Sequence, residues 1–273
     1  MSRIVDAPGR KSLALTLSEL VAVQWRVLVA LMLRDIKTRF GGSEWGFLIA
    51  IAWPLSHIVI LLLINAVAGR VAPYGDSAAL WFATGIVPFM AFSYMSRFIM
   101  YGIVLNRPLL LFPRVKINDI LFARALIEVL NAGCVVLILA VIFWAYGIDF
   151  MPLNPAQACF ALAASMLLGL GAGVINAIVS AAFPIWATGY ALFTVFLWFS
   201  SGVFYVASAL PEVLRYPLSF NPIVHAVDWM RSAYYEGYSG AFLDKSYLVW
   251  FALVLLAVGL SLERIVRGKL LQG

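Results

Sequence analysis

Residues 31–55 read LMLRDIKTRFGGSEWGFLIAIAWPL. Arg34, Asp35, Lys37 and Arg39 crowd into six residues, Gly41-Gly42 follows, and an apolar run then extends through FLIAIAWPLSHIVILLLINAVA at 47–68. About 20 consecutive apolar residues carry a helix across a bilayer. The stretch therefore reads as a charged segment, a glycine joint and a first membrane span. The rest of the composition agrees. Of 273 residues, 64% are hydrophobic and 12% charged, against about 25% charged in soluble domains.

Five further apolar runs follow, at about 79–103, 120–146, 156–178, 185–206 and 247–263. Their length and uniform apolarity predict an all-α polytopic protein of six transmembrane helices, because backbone groups in lipid need partners within the segment. The expected organisation is an N-terminal arm over 1–45, a membrane domain over 46–265 and a tail over 266–273.

The net charge of +6 reads as topology rather than nucleic-acid binding. The arm holds Arg3, Arg10, Lys11, Arg26, Arg34, Lys37 and Arg39. The segment between spans two and three, with its flank, holds Arg107, Arg114, Lys116 and Arg124, and the tail holds Arg264, Arg267 and Lys269. Arg70, Arg215, Arg231 and Lys245 lie opposite. Fourteen basic residues against four predict both termini in the cytoplasm. No Lys or Arg occurs between Arg124 and Arg215, so the hairpin of spans four and five rests on length alone. Residues 1–19 lack the apolar core of a cleavable signal peptide.

Ahead of span one, LVAVQWRVLVALML at 20–33 is too short to cross and is interrupted by Gln24 and Arg26. It predicts an amphipathic interfacial helix. Asp35 and Arg39, four apart with the acid first, suit a helical ion pair, and Gly41-Gly42 breaks the helix. The charged stretch is either a stop signal or a docking surface for a soluble partner. The loop LNRPLLLFPRVKINDILFAR at 105–124 sets Leu109, Leu110, Leu111 and Phe112 between Pro108 and Pro113. Left in water that apolar knob would cost free energy, so it should seat in lipid or in a partner.

The segment 203–246 predicts two short helices dipping into the outer leaflet, the second capped by Asn221 with Pro222 in its first turn. Ile223, Val227, Met230 and Tyr234 would share one face of that helix, and His225, Asp228 and Arg231 another.

No phosphate-binding loop GxxxxGK[ST] occurs. The GLGAG at 169–173 lies in an apolar run, where Gly169-x-x-x-Gly173 matches close helix packing in a membrane. No catalytic pair and no metal cluster stands out. Cys134 and Cys159 read as buried small apolar residues. Within the spans, Arg97 and Glu128 each carry a charge that costs about 2.5–3.5 kcal/mol at mid-bilayer on insertion scales. Arg97 has three readings: a pair with Glu128, snorkelling to the interface, or a position on a translocation path.

The segments RDIKTRF (34–40), NRPLLLFPRVK (106–116), SGVFY (201–205) and NPIVHAVDWMRSAYYEGY (221–238) resemble the membrane subunit of ABC-2 type polysaccharide exporters, most nearly the capsular polysaccharide export permease of Gram-negative bacteria. The resemblance covers about 20–270. It implies a multi-pass inner-membrane homodimer on which two ATP-binding cassette subunits dock. ATP and Mg would sit on those subunits, with no cofactor in this chain. It implies a lipid-linked, usually acidic polysaccharide as cargo, passed to a periplasmic co-polymerase or export protein. The residues that would feel the ATPase are Arg34, Asp35, Lys37 and Arg39 on the arm. In the loop they are Asn106, Arg107, Leu110, Phe112, Pro113, Arg114 and Lys116. Aromatic faces suit the C–H faces of sugars, which makes Trp53, Trp81, Tyr94, Trp198, Phe204 and Tyr205 path candidates beside Arg97. An ion-coupled secondary transporter, a structural scaffold, and a permease for another polymer such as O-antigen or teichoic acid are the rival readings.

Overall fold

A computed structural model of the chain describes residues 17–38, 45–112, 115–240 and 243–270. All regular structure among the described residues is helical. The helices are α1 (Leu17–Thr38), α2 (Gly46–Val67), α3 (Ala78–Met100), the single turn α4 (Gly102–Leu105), α5 (Ile117–Ala145), α6 (Pro155–Ala182), α7 (Trp186–Ser200), α8 (Glu212–Leu218), α9 (Pro222–Tyr234) and α10 (Lys245–Leu270). Short 3-10 turns lie at Arg107–Leu111 and Ala207–Ala209. Among the described residues five helices are long and apolar enough to cross a membrane: α2, α3, α5, α6 and α10. α7 is apolar but has only 15 residues. It rises about 22 Å, against about 30 Å of hydrocarbon.

The bundle is organised around α6, which packs most extensively against α3 on one side and α10 on the other. Glycines make both contacts possible. A Cβ on Gly169 would sit 2.7 Å from the Phe92 carbonyl oxygen, and one on Gly173 would sit 2.8 Å from Ile99 Cβ, both on α3. A Cβ on Gly171, on the opposite side of α6, would meet Leu255 Cβ of α10 at 2.9 Å. The GLGAG segment is thus a packing element, as its position in an apolar run predicts. Gly259 of α10 answers it, since a Cβ there would lie 2.9 Å from the Val174 side chain.

α2 contains Pro54, which has no N–H and leaves the carbonyl of Ala50 without its helical partner. Asn131 of α5 reaches across and donates Nδ2–H to that carbonyl at 3.1 Å. The defect in one span thereby becomes its attachment to another.

The fifth predicted span, 185–206, ends early at Ser200. The reason lies on α9. Arg231 is fully buried and donates from Nη1 to the carbonyls of Gly202 (2.8 Å) and Tyr205 (3.0 Å), and from Nη2 to that of Val203 (2.7 Å). Its guanidinium also lies 3.9 Å from the Trp81 ring centre. Gly202 turns the chain with φ +76°. Gly85 of α3 leaves room, because a Cβ there would lie 2.9 Å from Arg231 Nη2. Three carbonyls that would have continued α7 are satisfied by one side chain, so the backbone leaves the helix. Asn221 completes the junction. Its Oδ1 accepts from the Ile223 N–H at 3.0 Å as the predicted cap, and its Nδ2 donates to the Ser200 carbonyl at 3.2 Å.

α9 departs from the expectation of one buried and one polar face, since both are buried against α3, α6 and α10. His225 donates from Nε2 to the Ser219 carbonyl (2.8 Å) and accepts from the Asp244 N–H at Nδ1 (3.1 Å). Asp228 accepts from the Tyr238 hydroxyl at 2.6 Å. Burial pushes the Asp228 carboxyl above its ordinary range, and burial together with that carboxylate pushes the Tyr238 phenol up as well.

Gly169→Val or Gly173→Val should force α3 from α6 at a cost of about 1–3 kcal/mol each. Gly189→Ala, where a Cβ meets nothing within 4 Å, should leave the protein unchanged. Thermal unfolding of the purified chain in detergent, followed by size-exclusion chromatography, measures both.

Candidate functional site

A cavity of about 650 Å³ among the described residues is an open groove with α3 as its floor and α2 and α7 as its walls. α3 supplies Phe89, Ser93 and Arg97, and Tyr101 follows just past its C-terminal end, all spaced by four so that they form one stripe. Trp53, Pro54 and His57 come from α2, and Thr194 and Trp198 from α7. Arg97 is the one formal charge in this lining, and its side chain is exposed. His57 Nδ1 lies 3.2 Å from the Tyr94 hydroxyl. Trp198 meets Phe89 edge to face at 4.4 Å and Phe204 at 5.4 Å. α7 is fixed against the floor by the Tyr190 hydroxyl, which donates to Ser96 Oγ at 2.8 Å, and against α6 by Trp186 Nε1, which donates to Asn176 Oδ1 at 2.8 Å.

Of the predicted path residues, Arg97, Trp53, Tyr94 and Trp198 come together here. Phe204 adjoins them through Trp198, with the Arg70 guanidinium 5.8 Å from its ring centre. Tyr205 lies in the turn after α7, where its hydroxyl donates to the Phe199 carbonyl at 3.2 Å. Trp81 is elsewhere. It is 0% exposed, stacked on Tyr74 at 5.7 Å beneath Arg231, and acts as a core residue. His57, Phe89, Phe98, Tyr101 and Thr194 also line the groove, and the four-residue spacing along α3 was the signal that would have found its share of them. Glu128 is buried in the wall of a separate small cavity of about 30 Å³. Tyr94 lines both cavities.

The second candidate region lies at the end of the bundle where α1 docks. α1 is longer than the predicted 20–33 and lays Val27, Leu28, Leu31 and Met32 against α5 and the loop. Asp35 is buried and accepts from Arg124 Nη2 at 3.1 Å, while Arg124 Nη1 donates to the Phe98 carbonyl at 2.9 Å. Asp35 therefore serves an internal clamp rather than an exposed docking face. The helical pair with Arg39 expected for it involves a residue outside the described ones, as do Gly41, Gly42, Pro113 and Arg114. Arg34 Nη1 donates to Asn106 Oδ1 at 2.6 Å, and Asn106 Nδ2 donates to the Gly102 carbonyl at 2.9 Å. Gln24 Nε2 donates to Asp119 Oδ1 at 2.6 Å, and Asp119 Oδ2 accepts the Lys116 N–H at 2.9 Å. Arg107 Nη2 donates to the Ala181 carbonyl at the end of α6, at 3.4 Å. Lys37 and Lys116 are exposed.

The apolar knob divides. Leu109 and Leu110 pack with Leu31 and Ile120, whereas Leu111 is 83% and Phe112 60% exposed. Leu110, one of the residues expected to feel the ATPase, is thus partly buried against α1, and Leu111 stands at the surface beside Phe112.

The family model described as ABC-2 type transporter matches residues 26–235, which takes in α2 to α9, the groove and most of α1. This chain belongs to that family. It is 33% identical over 243 residues to the polysialic acid transport protein KpsM of Escherichia coli, covering 89% of this chain and 94% of that one. It is 28% identical over 249 residues to the capsule polysaccharide export inner-membrane protein CtrC of Neisseria meningitidis serogroup B, covering 89% and 92%. It is 26% identical over 255 residues to the capsule polysaccharide export inner-membrane protein BexB of Haemophilus influenzae, covering 91% and 94%.

Asp35→Ala should strand the Arg124 guanidinium and destabilise the fold by about 3–5 kcal/mol. The double variant Asp35→Leu with Arg124→Met should recover a large part of that loss. Leu110→Ser should cost about 1–3 kcal/mol through lost packing. Unfolding midpoints in detergent give all three values.

Proposed function

We propose that two copies of this chain form the membrane pathway of an ATP-driven exporter moving a lipid-linked, acidic capsular polysaccharide across the inner membrane of a Gram-negative cell. The observation that carries this reading is the groove itself. A single exposed cation, Arg97, is set among Trp53, Tyr94, Phe89 and Trp198, in a chain whose relatives include transport proteins for polysialic acid and capsule polysaccharide. Aromatic faces hold sugar C–H surfaces without tight hydrogen-bond geometry, so a polymer can slide. One cation draws an acidic chain inward without arresting it.

In this reading the groove, open along one side, is closed by the second copy. α7 and the turn held by Arg231 together make the fifth of six crossings. Both termini face the cytoplasm, in keeping with the distribution of Lys and Arg. α1 lies in the inner interface with Val21, Trp25 and Leu33 turned to the lipid. Each copy takes one ATP-binding cassette subunit, which holds ATP and Mg, and a periplasmic export protein receives the polymer. Leu111 and Phe112 seat in the ATPase. Motion of that subunit reaches the bundle through Asn106 to Arg34 and through Asp35 to Arg124.

Arg97→Ala should reduce surface polysaccharide about tenfold or more, if the cation contributes upwards of 1.4 kcal/mol to a transport step. Arg97→Lys should keep part of the activity, and Glu128→Gln should not rescue Arg97→Ala. Rescue by Glu128→Gln would reassign Arg97 to a structural pair. Surface capsule normalised to permease in the membrane is the measurement.

Leu111→Ser with Phe112→Ser should leave the unfolding midpoint unchanged while the co-purifying ATPase and the export rate both fall. Normal co-purification and export would confine these residues to a lipid contact.

A further inference from the structure

At the end of the bundle occupied by α9, a second cavity of about 250 Å³ lies between α3, α5, α6 and α9. Its walls are Val87, Leu139, Phe143, Leu162 and Met230, with Phe150 and Met151 of the α5–α6 loop over one end. The hydroxyls of Thr84 and Tyr234 are the polar groups of its lining, and that of Thr84 is already donated to the Trp81 carbonyl at 2.8 Å. Cys159, exposed on the second turn of α6, stands at its mouth.

Three observations say what fills it. The lining is too apolar to hold water, which needs two to four polar partners, and an empty space would cost the walls their dispersion contacts. The walls at Val136–Phe143 and Ala158–Leu162 belong to two candidate spans, so the surroundings at this depth are bilayer hydrocarbon. α5 and α6 scarcely touch one another, which leaves a lateral opening between them. The occupant is therefore apolar, membrane-resident and able to enter sideways.

A hydrocarbon tail carried in the Arg97 groove would be a second source of the same chemistry. What lies between the two cavities argues against it. There the structure has only the separate small cavity of about 30 Å³, which shares Val87 and Leu162 with one and Tyr94 with the other and is also lined by Glu128 and Asn131. The Asn131 Oδ1 there is buried without a hydrogen-bond partner. A tail crossing here would have to lie against a buried carboxyl and an amide oxygen without a partner.

We infer that this cavity is a lipid site, occupied by one acyl chain of a bilayer phospholipid that enters between α5 and α6 from the leaflet on the α9 side. The site is distinct from the groove and needs no transported polymer. Its occupant fills the space between the two spans and supports the Arg231 turn from behind, through Met230.

The full chain, purified in mild detergent from cells that make no capsule, should retain one phospholipid per chain in native mass spectrometry. Ala140→Phe and Cys159→Phe, which fill the cavity, should each abolish that retention. Delipidated Cys134→Ser protein offers a second readout without filling variants. Adding phosphatidylglycerol–phosphatidylethanolamine vesicles should slow N-ethylmaleimide labelling of Cys159 several-fold. Retention undiminished in both filled variants, or labelling indifferent to phospholipid, would overturn the assignment. Retention seen only in capsule-producing cells would also overturn it, in favour of the polymer's own anchor.

Discussion

Three glycines on one helix set the spacing of this protein. Gly169 and Gly173 bring α3 to within backbone contact of α6, and Gly171 does the same for α10 on the other side. Inside a membrane no water is expelled when helices meet, so association rests on close van der Waals packing and on polar groups that find partners. Any side chain at those positions would move the floor of the groove relative to its walls. The stripe of Phe89, Ser93, Arg97 and Tyr101 is useful only because α3 is held in this way.

Polar groups then do what apolar packing cannot. Several backbone irregularities of the bundle are met by side chains: the Pro54 defect by Asn131, the turn after α7 by Arg231 and the start of α5 by Asp119, while Arg34 holds the Asn106 side chain in the loop before α5. Non-helical backbone at membrane depth survives only where such partners exist. The same contacts join distant parts of the chain. Arg231 links α9 to the end of α7, which borders the groove. Asp35 and Arg34 link α1 to the far ends of α3 and α5. Through Arg124 and the Phe98 carbonyl, α1 is thereby tied to the helix that carries Arg97.

Much of this was legible in the residues. Long apolar runs located five crossings to within a few positions, because a helix in lipid must satisfy its own backbone. The Asn221-Pro222 start of α9 and the packing role of Gly169-x-x-x-Gly173 follow from local geometry, and the structure has both. The ABC-2 family was legible too, in ordered motifs that generic membrane composition would not produce. The groove was half legible. Trp53, Tyr94, Arg97 and Trp198 were named from their chemistry, but nothing local distinguished them from Trp81, which the fold uses as a core ring.

What the sequence determined by itself is the membrane class, the helix positions and the family. The first two depend on hydrophobic run length and on contacts within one turn of chain. Tertiary structure decided the partners of the charges and the fate of each aromatic. The local four-residue rule offers Asp35 a partner at Arg39, which lies outside the described residues; the structure pairs it with Arg124, 89 residues away. Apolar length extended the fifth span to 206, yet the helix ends at Ser200, where Arg231 takes the carbonyls of Gly202 and Tyr205 from 29 and 26 residues further along the chain. A buried charge or carbonyl takes whichever partner the fold brings within about 3 Å, and that choice is made by helix packing, not by spacing along the chain.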